Sequence, residues 1–201
     1  MAGLERTVVP TIEPVTIAEA HDHIRLDDAD SDTYVDRLIV AARERAESIT
    51  DRAFVRQTWR YTLDRFPRGR RIITLPKPPL ISVSSIAYTD GAGDAQTLTT
   101  HQVDTRSTPG RIRPGIDLDW PTVREQTLNA VTITYIAGYD DEGSPSHPTD
   151  YIPEPIKQAI LMIAETMYDS RGNMVIGTSA AELPFAATNL LAPYVVYNFN
   201  F

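Results

Sequence analysis

Between residues 32 and 50 the apolar side chains Val35, Leu38, Ile39, Ala42, Ala46 and Ile49 recur every three or four positions, which gathers them on one stripe of a helix that needs a partner. A shorter helix is predicted just before it, over residues 17–24. Thr16 followed by Glu19 has the spacing of a capping box, in which the two side chains satisfy each other's backbone N–H groups. From Phe54 the period falls to two, with Trp59, Tyr61 and Leu63 alternating with Thr58, Arg60 and Thr62, the pattern of a strand with one buried face. Further strands are predicted over residues 71–75, 81–88, 95–98, 102–105, 111–113 and 130–136. Turn signals separate them at Asp90-Gly91, Pro109-Gly110 and Pro114-Gly115. Beyond the Gly- and Pro-rich residues 138–147, Pro153 and Pro155 suit the first turn of a helix. Ile156, Ile160, Ile163, Ala164 and Met167 form its apolar stripe, and Gly172 would end it. A last short helix is expected over residues 186–191, before Pro193 and an aromatic tail.

The order helix, helix, strands, helix predicts an α+β fold: a small helical bundle with an inserted antiparallel β subdomain and an extended C-terminal tail. The expected divisions are N-terminal helices in residues 1–53, the β subdomain in 54–140, helices completing the bundle in 141–192, and the tail in 193–201. Short strands joined by tight turns point to a small antiparallel sandwich or barrel, with the helices closing on one another and the β region projecting from them.

Composition narrows the function more than the fold. With 42% hydrophobic and 23% charged residues over 201 positions, the chain can bury a core. It has no cysteine, so disulfides, thiolate metal sites and cysteine nucleophiles are excluded. Residues 1–10 lack the apolar run of a secretory signal, and no stretch approaches the ~20 apolar residues of a membrane span. The expectation is a chain made in, and kept in, a cytoplasm-like solvent with no membrane partner. A net charge of −8 argues against gripping nucleic acid over a broad surface, whereas an acidic wall would let a duplex slide past. Among the cations, 17 are arginines, against Lys77 and Lys157 alone, a bias suited to interfaces.

Candidate chemistry is thin. Asp27, Asp28, Asp30 and Asp32 resemble the opening of a calcium loop, but with Asp28 first, Thr33 falls where glycine is needed and Ile39 where the bidentate glutamate belongs. The run is better read as helix capping. His21 and His23, two apart on a helix, point to different faces, while His101 and His147 are expected singly in loops. Residues 172–179 come close to a phosphate loop but carry Thr178 in place of the lysine and follow a helix rather than a strand. No nucleophile elbow, HExxH or dinucleotide fingerprint occurs, and no carboxylate pair stands out. The sequence predicts no catalytic, cofactor-binding or metal-binding residue.

Two features invite an interaction reading instead. Arg65, Arg68, Arg70 and Arg71 form a dense basic cluster on a loop between strands, either solvated charge or a contact with an acidic neighbour or a DNA phosphate. The tail YVVYNFNF alternates Tyr197, Phe199 and Phe201 with Asn198 and Asn200. Either it folds back as an edge strand or it adds to another subunit.

Taken together, residues 15–26 (VTIAEAHDHIRL), 57–67, 80–90 (LISVSSIAYTD), 131–139 (VTITYIAGY), 152–171 and 182–194 (ELPFAATNLLAPY) resemble the head-tail connector (adaptor) proteins of long-tailed double-stranded DNA phages and of gene transfer agents. The likeness runs nearly end to end and rests on the order of these stretches. It implies a structural virion protein at the head-tail junction, assembled in the host bacterial cytoplasm. Such a subunit would join a dodecameric ring that docks on a portal protein and offers its other side to a stopper or tail-completion protein. Double-stranded DNA would pass through the channel without sequence-specific binding. It also implies a portal or subunit interface at Tyr194, Tyr197, Phe199 and Phe201. Two rivals rest on the residues alone: a monomeric ligand- or carbohydrate-binding module with Trp59 or Trp120 lining a pocket, and a hydrolase using dispersed carboxylates.

Overall fold

A computed structural model describes residues 2–26, 32–68, 72–139, 149–170 and 185–197. The chain divides into a β unit, residues 1–10 with 56–139, and a helical unit, residues 11–55 with 140–201. The result is an α+β fold with all strand pairings antiparallel.

Among its described residues the β unit holds eight strands: β1 Ala2–Val8, β2 Gln57–Leu63, β3 Ile73–Thr74, β4 Leu80–Thr89, β5 Ala95–Thr97, β6 His101–Asp104, β7 Arg111–Pro114 and β8 Val131–Ala137. They form a five-stranded sheet in the order β1-β2-β8-β4-β5 and a three-stranded sheet in the order β3-β7-β6. β8 sits at the centre of the larger sheet and shows the cleanest alternation, with Val131, Ile133, Tyr135 and Ala137 buried and the residues between them half-buried. The buried Tyr135 hydroxyl donates to the Pro76 carbonyl at 2.8 Å, which satisfies its polar end. A Cβ on Gly110 would fall 2.4 Å from Leu80 Cβ, so only glycine fits where the approach to β7 crosses β4. The predicted Asp90-Gly91 turn closes the β4–β5 hairpin. Asp90 Oδ1 accepts from the N–H groups of Ala92, Gly93 and Asp94, at 3.0 Å each. The Asp94 N–H, then Gln96, hold the Asp90 carboxyl below its ordinary pKa.

Three expectations need correction here. No strand was expected before residue 54, yet Ala2–Val8 is a strand whose partner is β2, with a bulge between Arg6 and Val8. The pairing, not periodicity, makes it a strand, because Leu4 and Val8 face solvent while Gly3 and Arg6 are half-buried. β2 does not separate a buried from an exposed face, since Thr58 and Thr62 are half-buried along with Trp59, Tyr61 and Leu63. It runs between β1 and β8, and neither face is fully covered. His101, expected in a loop, opens β6 opposite Pro114; His147 lies outside the described residues.

The helical unit comprises α1 Ile17–Ile24, α2 Asp32–Thr50, α3 Glu154–Asp169 and α4 Phe185–Leu191, followed by a 3-10 turn over Ala192–Tyr194. α2 packs on α3 mainly through the predicted stripes, with Val35, Leu38, Ile39, Ala42 and Ala46 buried on one and Ile156, Ile160, Ile163 and Ala164 on the other; Ala159 joins them, while Ile49 and Met167 are only half-buried. Ala187 and Leu191 bury α4, which lies on α3, and Tyr34 meets Tyr168 with ring centroids 6.1 Å apart. The α1 capping box forms as read from sequence: Thr16 Oγ1 accepts from the Glu19 N–H at 3.2 Å, and Glu19 Oε2 accepts from the Thr16 N–H at 2.6 Å. Thr16→Ala should therefore cost about 1 kcal/mol in a denaturant titration and Thr16→Ser close to nothing; equal losses would show that the cap is not what holds α1.

Candidate functional site

The basic loop leaves β2 at Leu63 and is pinned at its middle. Phe66 is buried, stacked on Trp120 with centroids 4.7 Å apart and planes 5° from parallel, and Tyr88 meets its ring edge-on at 5.8 Å. On the loop's near side, Asp64 Oδ1 accepts from the Asn129 N–H at 3.0 Å. With Phe66 turned inward, Arg65 and Arg68 on either side of it are left exposed. They border a groove of about 830 Å³ whose opposite wall is the segment from Trp120 to Leu128. Arg124 and Glu125 stand exposed on that wall, and Leu128 is 79% exposed. Arg70 and Arg71 lie outside the described residues.

Sequence reading found half of this arrangement. The density of arginine exposed Arg65 and Arg68, but nothing linked them to Arg124, which is remote in sequence and reaches the same groove through the sheet. The aromatic stack was missed for the same reason. It bears on the ligand-binding rival, because one face of Trp120 is taken by Phe66 and the groove is lined by charged groups of both signs, Arg65, Arg68 and Arg124 with Asp64 and Glu125. Of the two tryptophans that the rival reading invoked, Trp120 lines this groove and Trp59 does not; Trp59 is half-buried, with the Lys77 ammonium 5.9 Å from its ring centroid.

At the other end of the chain, the start of the tail is strapped to the C-terminal end of α2. Arg52 Nε donates to the Tyr194 carbonyl at 2.5 Å, and the Val196 N–H donates to the Thr50 carbonyl at 2.9 Å. These bonds cap carbonyls that a helix end leaves open. Tyr194 is half-buried and Tyr197, three residues on, is 69% exposed. Through Tyr197 the chain forms no strand. Phe199 and Phe201 lie outside the described residues, as do Asp27, Asp28, Asp30 and the phosphate-loop look-alike 172–179.

Nor do the histidines converge. His21 Nε2 lies 3.1 Å from Asp32 Oδ1 and His23 Nε2 lies 3.3 Å from Glu165 Oε2, on different faces of α1. Among the described residues no three metal-binding side chains cluster, and no helix is long and apolar enough to cross a membrane. Asp104 is held below its ordinary pKa, first by the Arg111 side chain and then by the N–H groups of Arg106 and Ser107, which is turn architecture rather than acid–base chemistry.

No protein-family model matches the chain, and no curated protein does. Solved structures do. A chain in the neck of an empty GTA particle computed with C6 symmetry matches with a TM-score of 0.78 at 22% identity, over 99% of this chain and 98% of that one. A chain in the virion of a native gene transfer agent (GTA) particle matches at 0.75 and 20% identity, over 98% of each. A third, in the neck of a native GTA particle computed with C12 symmetry, matches at 0.70 and 22% identity over 100% and 98%. At these identities the likeness is one of fold, and it spans nearly the whole of both chains.

Proposed function

We propose that this chain is a structural subunit of the neck of a virus-like particle, a head-tail connector that works by joining a ring rather than by turnover. The observation that carries the reading is the fold, shared from end to end with chains of gene transfer agent necks computed with C6 and C12 symmetry. What the described surface adds to that reading is interaction chemistry: the exposed Arg65, Arg68 and Arg124 on the β unit and the exposed Tyr197 at the start of the tail. In the finer form of the proposal, twelve copies close a ring through heterologous contacts. One face takes the portal, with Tyr194, Tyr197, Phe199 and Phe201 as the anchor, and the other takes a stopper or tail-completion protein. Double-stranded DNA passes through the channel, where net acidity keeps it from sticking. The site of action is the head-tail junction of the particle, after assembly in the bacterial cytoplasm.

Negative-stain electron microscopy of the purified chain, alone and mixed with its cognate portal, tests this directly. Twelve-fold rings, or added density beneath the portal, are expected. A compact monomer that ignores the portal would overturn the proposal.

A further inference from the structure

The two units divide the charge unequally. Residues 1–10 and 56–139 contain twelve Lys/Arg and eight Asp/Glu, a net charge of +4, whereas residues 11–55 and 140–201 contain seven and nineteen, a net charge of −12, which together give −8. An acidic chain thus carries a basic β unit. Within it the cations Arg65, Arg68 and Arg124 converge on one groove and outnumber its carboxylates, Asp64 and Glu125; among the described residues none of the three is in a salt bridge, and Arg65 alone lies in the field of Asp64. The helical unit has the complementary excess. Asp22 on α1 and Asp36 on α2 are exposed without ion-pair partners among the described residues, and Asp32, one turn before Asp36 on the same side of α2, meets only His21. Asp32 sits in the first turn of α2, where a carboxylate favours the helix, but Asp36 lies beyond that turn and adds only like-charge repulsion four residues on, so the helix itself does not account for it.

We infer that the arginine-lined groove of the β unit receives the acidic α1–α2 shoulder of a second copy of this chain. The inference rests on the ring reading above and names the contact that closes the ring. Such a contact is heterologous, because a basic patch meets an acidic patch of a different unit, and head-to-tail contacts of this kind generate a ring when their rotation closes. Opposite charges also fix register and suppress the wrong pairing, groove on groove or shoulder on shoulder. Phe66 and Trp120, locked by stacking, hold the groove in shape before the partner arrives, and the exposed Leu128 supplies apolar area at its edge.

Charge exchange tests it. In the variant Arg65→Glu/Arg68→Glu, both the groove and the shoulder are acidic; in Asp22→Arg/Asp36→Arg, both are basic. Each alone should lose rings at least tenfold by particle counts while keeping the wild-type melting curve. Mixed one to one, they should regain rings, because alternating copies place every acidic groove against a basic shoulder and every basic groove against an acidic one. Rings formed by either variant alone as well as by wild type, or a mixture that stays monomeric, would overturn the inference and leave the ring reading standing. Absence of wild-type rings with and without portal would overturn both. Should a double variant fail to fold, single cysteines decide: the chain has none of its own, so Arg68→Cys mixed with Asp36→Cys should give a bismaleimide-linked heterodimer. A yield no higher than that of Arg68→Cys mixed with Glu154→Cys would sink the inference.

Discussion

Glu47→Ala lowers the unfolding free energy by about 3–5 kcal/mol, where an exposed ion pair of the same spacing would be worth only about 0.3–0.5 kcal/mol. The difference lies in burial. The Glu47 side chain is 8% exposed and that of Arg43 3%; Arg43 Nη1 donates to Glu47 Oε2 at 3.0 Å, and the Phe54 N–H donates to Glu47 Oε1 at 2.8 Å. Alanine leaves a buried guanidinium with less than its complement of acceptors and strips the Phe54 N–H of this one. Arg43 would then lean on Glu13 alone, which it already reaches through Nε at 2.7 Å and Nη2 at 3.3 Å. Burial works against the Arg43 charge, but the Glu13 hydrogen bond and the Glu47 field outweigh it and hold its pKa above the ordinary value. Glu13 itself is the milder target, because burial pushes its carboxyl above the ordinary 4.5 despite both bonds from Arg43. The folded state therefore binds the Glu13 proton more tightly than the unfolded chain does, and its contribution to stability falls as pH rises through that window. A thermal melt checks the main claim: at about 2–4 °C per kcal/mol for a chain of this size, Glu47→Ala should melt about 6–20 °C lower. A drop of 1 °C or less would mean that water replaces the lost partner at no cost.

That network also marks where sequence reading stopped. Arg43 and Glu47 are four apart on α2, a spacing that on sequence alone means a solvated pair, and only packing against the segment around Glu13 and Phe54 puts them inside. The helices themselves were legible because their signals are local: Thr16 with Glu19, the stripes of α2 and α3, and the prolines that open α3. β8 was legible because a strand buried on alternate positions writes its period into its residues. β1 was not, since an edge strand with exposed Leu4 and Val8 has no period to read and owes its existence to β2. Strand order was equally hidden: β2 and β4 flank β8, which follows them by some forty residues or more, and nothing local specifies so distant a pairing. The groove follows from that order, because only the folded sheet brings Arg124 to Arg65 and Arg68.

Deleting residues 197–201 should leave the fold and its melting temperature unchanged and abolish attachment to portal-bearing heads. The first half follows from where the tail is tied. The bonds from Arg52 to Tyr194 and from Val196 to Thr50 lie before the cut, so the cap on α2 survives, and Tyr197 is 69% exposed and buries little. The second half belongs to the proposed anchor. A segment that alternates Tyr197, Phe199 and Phe201 with asparagine carries its apolar groups on one side of an extended chain, the form that adds to another protein's sheet edge or fills its side-chain pockets. Losing three aromatic anchors from each copy is multiplied around a ring, so the loss of attachment should be complete rather than graded. Sedimentation of heads with bound subunit reads it out, and Tyr197→Ala alone, with the rest of the tail intact, should weaken attachment at least tenfold. A truncated chain that joins heads as well as the full chain does would remove the tail from the portal interface, and a truncated chain that melts several degrees lower would make Tyr197 a part of the helical unit instead.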